Sequence, residues 1–242
     1  MTVEVKICGL QPGDDLSFTD HPRVTHVGWV FVAESRRYVA PKLARRMIDD
    51  LAGRAEPVGV FVNASREEIL RVAEESGIRV AQLHGEETPA LCAALRASGL
   101  RVWRSLAVRD DERMDALARR LAAFAGQADA LLLDAAPPKG TGGVTGGHGR
   151  TYDWRVLPQA VETARSLAPA LPAIWVAGGL TSANVSQLFR WFIPKGVDVS
   201  SGVETDGRKD PRRILAFLDE VDRAIRSDAI TAGLKASEEA IP

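Results

Sequence analysis

Two residues of this 242-residue sequence pair as a base and an acid. Cys8 closes the run Val3-Glu4-Val5-Lys6-Ile7-Cys8, and Asp134 closes Ala130-Leu131-Leu132-Leu133-Asp134. A carboxylate after four apolar residues is expected at a strand end, because a packed wall would have to desolvate it. A thiol at another strand end becomes a general base or nucleophile once nearby positive charge lowers its pKa. One group that gives a proton and one that takes it meet the needs of an isomerase, and the reaction calls for no cofactor. Each residue also has a plainer reading. Cys8 can be a small buried hydrophobe, as Cys92 in Leu91-Cys92-Ala93-Ala94-Leu95 is expected to be. Asp134 can cap loop amides before Pro137-Pro138.

The substrate such a pair would serve is suggested by three other segments. Gly178-Gly179 and Ser200-Ser201-Gly202 follow short β-like runs and offer uncovered amides and hydroxyls, which suits a phosphate; the competing reading is a pair of tight turns. Arg37, in Ser35-Arg36-Arg37-Tyr38, could grip a carboxylate with two parallel bonds, although surface arginines usually face water. His84, in Gln82-Leu83-His84-Gly85, is a ligand, an acid or an ordinary rim residue. It has no partner at metal spacing, and His21, His26 and His148 form no cluster with it, so no zinc site is expected.

The elements that must position these residues alternate. Strands are expected at Val3 to Cys8, Val24 to Val32, Pro57 to Asn63, Arg79 to His84, Leu100 to Leu106, Asp129 to Asp134, Ala173 to Ala177 and Val197 to Ser200. Helices are expected at Pro41 to Leu51, Arg66 to Ser76, Thr88 to Ala97, Asp111 to Ala125, Trp154 to Leu167, Ala183 to Trp191 and Pro211 to Ile225, with starts at Ser65, Thr88, Asp110 and Ser182. The connection Gln11 to His21 is the weakest helix. Eight strands with helical crossovers predict a single-domain (β/α)8 TIM barrel over residues 1–226, with 227–242 as a frayed tail or short surface helix. A doubly wound sheet would want Gly-x-Gly-x-x-Gly after the first strand, where the chain reads Cys8-Gly9-Leu10-Gln11-Pro12-Gly13. The Gly-rich stretch Lys139 to Gly149 is not a phosphate-binding P-loop either, and reads as a flexible loop after strand six. In a barrel the site lies at the carboxyl ends of the strands, which gathers Cys8, Arg36, Arg37, Asn63, His84, Arg104, Ser105, Asp134 and the two glycine segments at one mouth.

Composition narrows the rest. Lys plus Arg number 31 and Asp plus Glu 32, a net charge of −1, so no nucleic-acid surface is expected. Two cysteines are too few for a disulfide framework and point to a reducing compartment, with the cytoplasm as the default. No apolar run approaches the roughly twenty residues of a membrane helix. The expected partner is a phosphorylated small molecule, bound by a monomer or a homodimer.

The motifs Val5-Lys6-Ile7-Cys8-Gly9-Leu10, Ser35-Arg36-Arg37-Tyr38, Gly59-Val60-Phe61-Val62-Asn63 and Gln82-Leu83-His84-Gly85 occur in order. Leu131 to Asp134, Tyr152-Asp153-Trp154, Ala177-Gly178-Gly179-Leu180 and Val197-Asp198-Val199-Ser200-Ser201-Gly202-Val203-Glu204 continue the series. Together they resemble the phosphoribosylanthranilate isomerase family, up to about Ile225. The resemblance implies a TIM barrel that carries out an Amadori rearrangement in tryptophan biosynthesis. It implies Asp134 as the acid that protonates the furanose ring oxygen and Cys8 as the base that removes the C2 proton. It further implies Arg37 on the anthranilate carboxylate, Gly178, Gly179, Ser201 and Gly202 on the phosphate, and His84 and Asp198 lining the pocket. Two segments depart from the family pattern. After Leu10 the sequence lacks an Ala/Gly-rich helix, so helix one should be short or distorted, and the loop after Asp134 is longer, with extra glycine and His148. Two alternatives follow: an isomerase for a substituted anthranilate, and a non-catalytic barrel that binds phosphorylated ligands.

Overall fold

The structure, a computed structural model, describes residues 2–109, 111–136 and 151–238. Eight parallel strands close into a barrel in sequence order. They are β1 (Glu4–Cys8), β2 (Val24–Val30), β3 (Glu56–Phe61), β4 (Val80–Leu83), β5 (Arg101–Val108), β6 (Ala130–Ala135), β7 (Ala173–Val176) and β8 (Gly196–Val199). The barrel closes where Lys6 of β1 stands opposite Asp198 of β8. After the crossovers come α1 (Pro41–Asp50), α2 (Arg66–Ser76), α3 (Pro89–Ala97), α4 (Met114–Ala122), α5 (Leu157–Leu167), α6 (Val185–Phe189) and α7 (Pro211–Glu238). A small hairpin, β9 (Glu204–Thr205) and β10 (Arg208–Lys209), follows β8.

Several boundaries trace to local chemistry. Ser65 and Thr88 cap their helices by accepting from the Glu68 and Leu91 amides, as expected, and Gly77 closes α2 in the left-handed region. Three helices start later than expected. Helix α4 begins at Met114 after a turn, with Asp110 outside the described residues. The opening of the expected helix at Trp154 is a 3-10 turn through Val156, after which Pro158 suits the first turn of α5. The third, α6, shrinks to five residues because Asn184 folds its side chain back, accepting from the Thr181 amide and donating to the Gly179 carbonyl. Helix one is a single 3-10 turn, Ser17–Asp20. The last helix runs past Ile225 to Glu238, along a stretch in which Ala229, Ala232 and Ala236 favour helix. No helix among the described residues is long and apolar enough to cross a membrane.

Side chains alternate across the strands. Outward residues such as Val5, Ile7, Leu131, Leu133, Val197 and Val199 join Leu95, Leu121, Val161 and Phe217 of the helices in one apolar shell. Inward residues form a separate plug of Val58, Val80, Trp103, Ala130, Leu132, Trp175 and Ala177. His26 lies against it, its ring 4.7 Å from Trp103 and 5.1 Å from Trp175. Burial first, with help from the Arg101 charge, pushes the His26 imidazole down to about 3, so it sits there neutral.

Candidate active site

Above the plug, the inward positions turn polar. Gln82 of β4 and Ser105 of β5 are joined by a 3.2 Å hydrogen bond from the Gln82 amide. His84, just beyond β4, is held on both ring nitrogens: Nδ1 lies 3.4 Å from Gln82 Nε2, and Nε2 lies 3.2 Å from Asp134 Oδ2. Asp134 Oδ1 accepts from the Ala135 amide at 2.8 Å. The carboxylate is thereby fixed on both oxygens, at the end of a strand whose preceding residues are buried in the plug and shell.

Cys8 reaches the same interior from β1 and is buried, with Gly28 of β2 beside it. A Cβ at residue 28 would lie 2.9 Å from Cys8 Sγ and 3.1 Å from Lys6 Nζ. Only glycine leaves this space to the thiol and the ammonium. Burial holds the Cys8 thiol above its ordinary value, and the Lys6 charge offsets part of that rise. Lys6 is fully buried and donates to Asp198 Oδ1 at 3.0 Å. Burial works against its charge, yet Asp198 and the Cys8 thiol hold the Lys6 ammonium above its ordinary value. The end of β1 is tied to that of β8 by Ser200, whose hydroxyl donates to the Cys8 carbonyl at 2.9 Å.

The two glycine segments adjoin each other. Gly178 and Gly179 are left-handed (φ +87° and +59°), and among the described residues their amides donate to no protein acceptor. A Cβ on Gly202, within the 3-10 turn Ser201–Val203, would collide with the Leu180 carbonyl oxygen. A Cβ on Gly178 would stand 2.5 Å from the Ala135 nitrogen and 2.9 Å from Asp134 Oδ1, so this glycine lets the loop approach the carboxylate directly.

Arg37 occupies the rim between β2 and α1. Its Nε and Nη2 donate to Glu204 Oε1 and Oε2 at 2.7 and 2.9 Å, and Lys209 Nζ donates to Oε1 at 2.7 Å. Despite burial, these bonds hold the Glu204 carboxyl down at about 2. Arg37 therefore already grips one carboxylate, from the protein itself. Arg36, the more exposed neighbour, also donates to Glu204 at 3.0 Å.

Some rim residues turn away from this group. Arg104 points outward from β5 and donates to the Leu83 and Gly85 carbonyls, with Glu87 3.4 Å away, stitching β4 to β5. Asn63 accepts from the Glu86 amide and its own amide donates to Glu87, so it shapes a turn. The segment Lys139 to Gly149 lies outside the described residues. Lys6, Gln82, Glu204 and Lys209 join the site without a motif that marks them in the sequence. Strand alternation carried a signal for the first, since Lys6 must share a face with Cys8.

A sequence profile of N-(5'-phosphoribosyl)anthranilate (PRA) isomerase matches residues 5–220. The chain belongs to this isomerase family. An N-(5'-phosphoribosyl)anthranilate isomerase of Paracoccus denitrificans is 39% identical over 220 residues, covering 90% of this chain and 96% of the relative. That of Rhodospirillum centenum is 37% identical over 90% of this chain and 97% of its own length. The phosphoribosyl anthranilate isomerase of Thermotoga maritima superposes with a TM-score of 0.73 at 32% identity, covering 91% of this chain and 98% of that one. A phosphoribosyl anthranilate isomerase solved with reduced 1-(o-carboxyphenylamino)-1-deoxyribulose 5-phosphate superposes with a TM-score of 0.71 at 31% identity, over 91% of this chain and 98% of that one. The family's barrel is thus the one described above, with alternating helices around a closed parallel sheet. Among the described residues no group of His, Cys, Asp and Glu could hold a metal ion.

Proposed function

We propose that this barrel isomerises N-(5'-phosphoribosyl)anthranilate to 1-(2-carboxyphenylamino)-1-deoxyribulose 5-phosphate, a step of tryptophan biosynthesis, with Asp134 as general acid and Cys8 as general base. The observation that carries the assignment of roles is the placement of a fixed carboxylate and a cation-flanked thiol in one barrel interior, beside two adjoining glycine loops. In the first step the protonated Asp134 gives its proton to the furanose ring oxygen, the C1–O bond breaks, and the anthranilate nitrogen lone pair forms a Schiff base. In the second, the Cys8 thiolate takes the C2 proton, the C–H electrons form a C1–C2 double bond, and the electrons of the C1=N bond return to the anthranilate nitrogen. The resulting enolamine tautomerises to the ketose. His84 orients Asp134, while Asp198 holds Lys6 and lines the floor beneath the sugar. The amides of Gly178, Gly179, Ser201 and Gly202 hold the phosphate, and Arg37 faces the anthranilate carboxylate with Glu204 setting its plane.

The test is a fluorescence assay of freshly generated phosphoribosylanthranilate. General acid or base catalysis contributes about 10²–10⁴-fold. Cys8→Ser and Asp134→Asn should each lose turnover on that scale while keeping wild-type thermal unfolding. A folded variant within a few-fold of wild type would remove that residue from the mechanism.

A further inference from the structure

Lys6 is a charged side chain placed where a barrel ordinarily packs apolar layers. It is fully buried and donates to Asp198 Oδ1 at 3.0 Å, with the Cys8 side chain as a second hydrogen-bonding neighbour. Stability does not call for it, because a buried ion pair replaced by hydrophobic groups of similar volume is often neutral or stabilising. What Lys6 gains at that position is proximity to the Cys8 sulfur. The two residues are two apart on β1, project from the same face, and share the space over Gly28. We propose that Lys6 is a positioning residue for the isomerisation: its ammonium, locked in place by Asp198, stabilises the Cys8 thiolate that takes the C2 proton. The proposal rests on the reading of Cys8 as base.

The surrounding charges single out Lys6. Among the described residues, the ionisable groups that act on the Cys8 sulfur from the packed elements are Lys6 of β1, Asp198 of β8 and Lys209 of β10. Lys209 is committed elsewhere, donating to Glu204 at 2.7 Å and to the Ser200 carbonyl at 3.1 Å. Asp198 opposes thiolate formation, but less strongly than Lys6 favours it. His84 and Asp134 bear on the same cluster through Asp198. A low-dielectric interior strengthens such a contact relative to water.

The experiment measures the rate of iodoacetamide alkylation at Cys8 against pH by peptide mass spectrometry, in the full-length, substrate-free protein. Lys6→Met should raise the thiol midpoint by one pH unit or more, cutting the thiolate present at neutral pH about tenfold. The acid limb of kcat/KM should move by the same amount, so raising the pH regains activity. A merely structural lysine would lower activity at every pH without moving the limb. Lys6→Met leaves Asp198 buried without its partner, so Lys6→Met with Asp198→Asn is made in parallel; it buries no lone charge and should still show a raised midpoint. A folded variant titrating within about 0.3 unit of wild type overturns the proposal, and failure of both variants to fold assigns the pair to the scaffold and overturns it too. If Cys8→Ser keeps wild-type turnover, the reading of Cys8 as base fails instead, whatever the thiol titration shows.

Discussion

Changing Glu204 to Gln keeps the shape of the side chain that Arg37, Arg36 and Lys209 share and removes its charge. The wild-type carboxylate is almost fully buried, with 4% of its side chain exposed, against 11% for Arg37 and 1% for Lys209. The variant would leave two buried cations around a neutral amide. Removing one partner of a buried ion pair costs about 3–5 kcal/mol, and because Gln keeps an acceptor for Arg37 the lower end, about 3 kcal/mol, is expected. Arg36 is 59% exposed and adds well under about 1 kcal/mol. For a chain of this size each kcal/mol moves Tm by about 2–4 °C, so Glu204→Gln should unfold about 6–12 °C below wild type at pH 7. The gap has a pH signature. A carboxyl held at about 2 in the fold, against an ordinary 4.5, stabilises above 4.5 and loses that contribution as the pH falls toward 2. The wild-type advantage should therefore narrow between pH 5 and pH 3. Because Glu204 sets the plane of Arg37, KM should rise several-fold with a smaller change in kcat. A Tm within about 2 °C of wild type at pH 7 would refute the claim that this carboxylate balances the buried cations.

Gly202→Ala should raise KM for the phosphorylated substrate far more than it lowers kcat, because its Cβ would collide with the Leu180 carbonyl oxygen and part the two glycine loops; the steric cost is about 1–3 kcal/mol in Tm-derived stability, and an unchanged KM would detach these loops from phosphate binding. His26, neutral in the fold at a pKa of about 3 against 6.5 unfolded, leaves the native state short of a proton below pH 6.5, so stability falls with acid by up to about 1.4 kcal/mol per unit. Urea unfolding at pH 7, 6 and 5 should show that slope flattened in His26→Phe, which keeps a ring against Trp103 and Trp175, and equal slopes would refute it.

What the sequence made legible was local. Ser65 and Thr88 announce their helices because a capping hydroxyl acts within three residues, and the strands announce themselves through β-branched runs. Cys8, His84 and Asp134 could be placed at one mouth because parallel β/α order fixes which strand ends face together. The misses have a different physical origin. Glu204 meets Arg37 across 167 residues and Asp198 meets Lys6 across 192, and nothing in either neighbourhood fixes those partners before the barrel closes. Arg104 stands beside Ser105 in the middle of β5, and its outward direction follows only once Trp103 and Ser105 are known to face inward. Asn184 looks like ordinary helix interior until its side chain is seen returning to Thr181 and Gly179, which shortens α6 and sets the Gly178-Gly179 loop.

The division of the interior explains how a barrel can carry so much polarity at its centre. The apolar shell between strands and helices passes through Val5, Leu131, Val197 and their neighbours, so most hydrophobic burial lies outside the sheet. The inward plug need only be thick enough to exclude water from below, and Trp103 and Trp175, with ring centroids 4.5 Å apart, do that with two side chains. Everything above them is free to be chosen for chemistry. Polar groups there must still be satisfied, which is why Lys6 comes with Asp198, Gln82 with Ser105, and His84 with Asp134. Among the described residues Gln82 Oε1 is buried without a hydrogen-bond partner, in the residue that links Ser105 to His84. The contacts from Gln82 and Asp134 hold the His84 ring on both nitrogens, so this polar layer is set in place by the barrel itself.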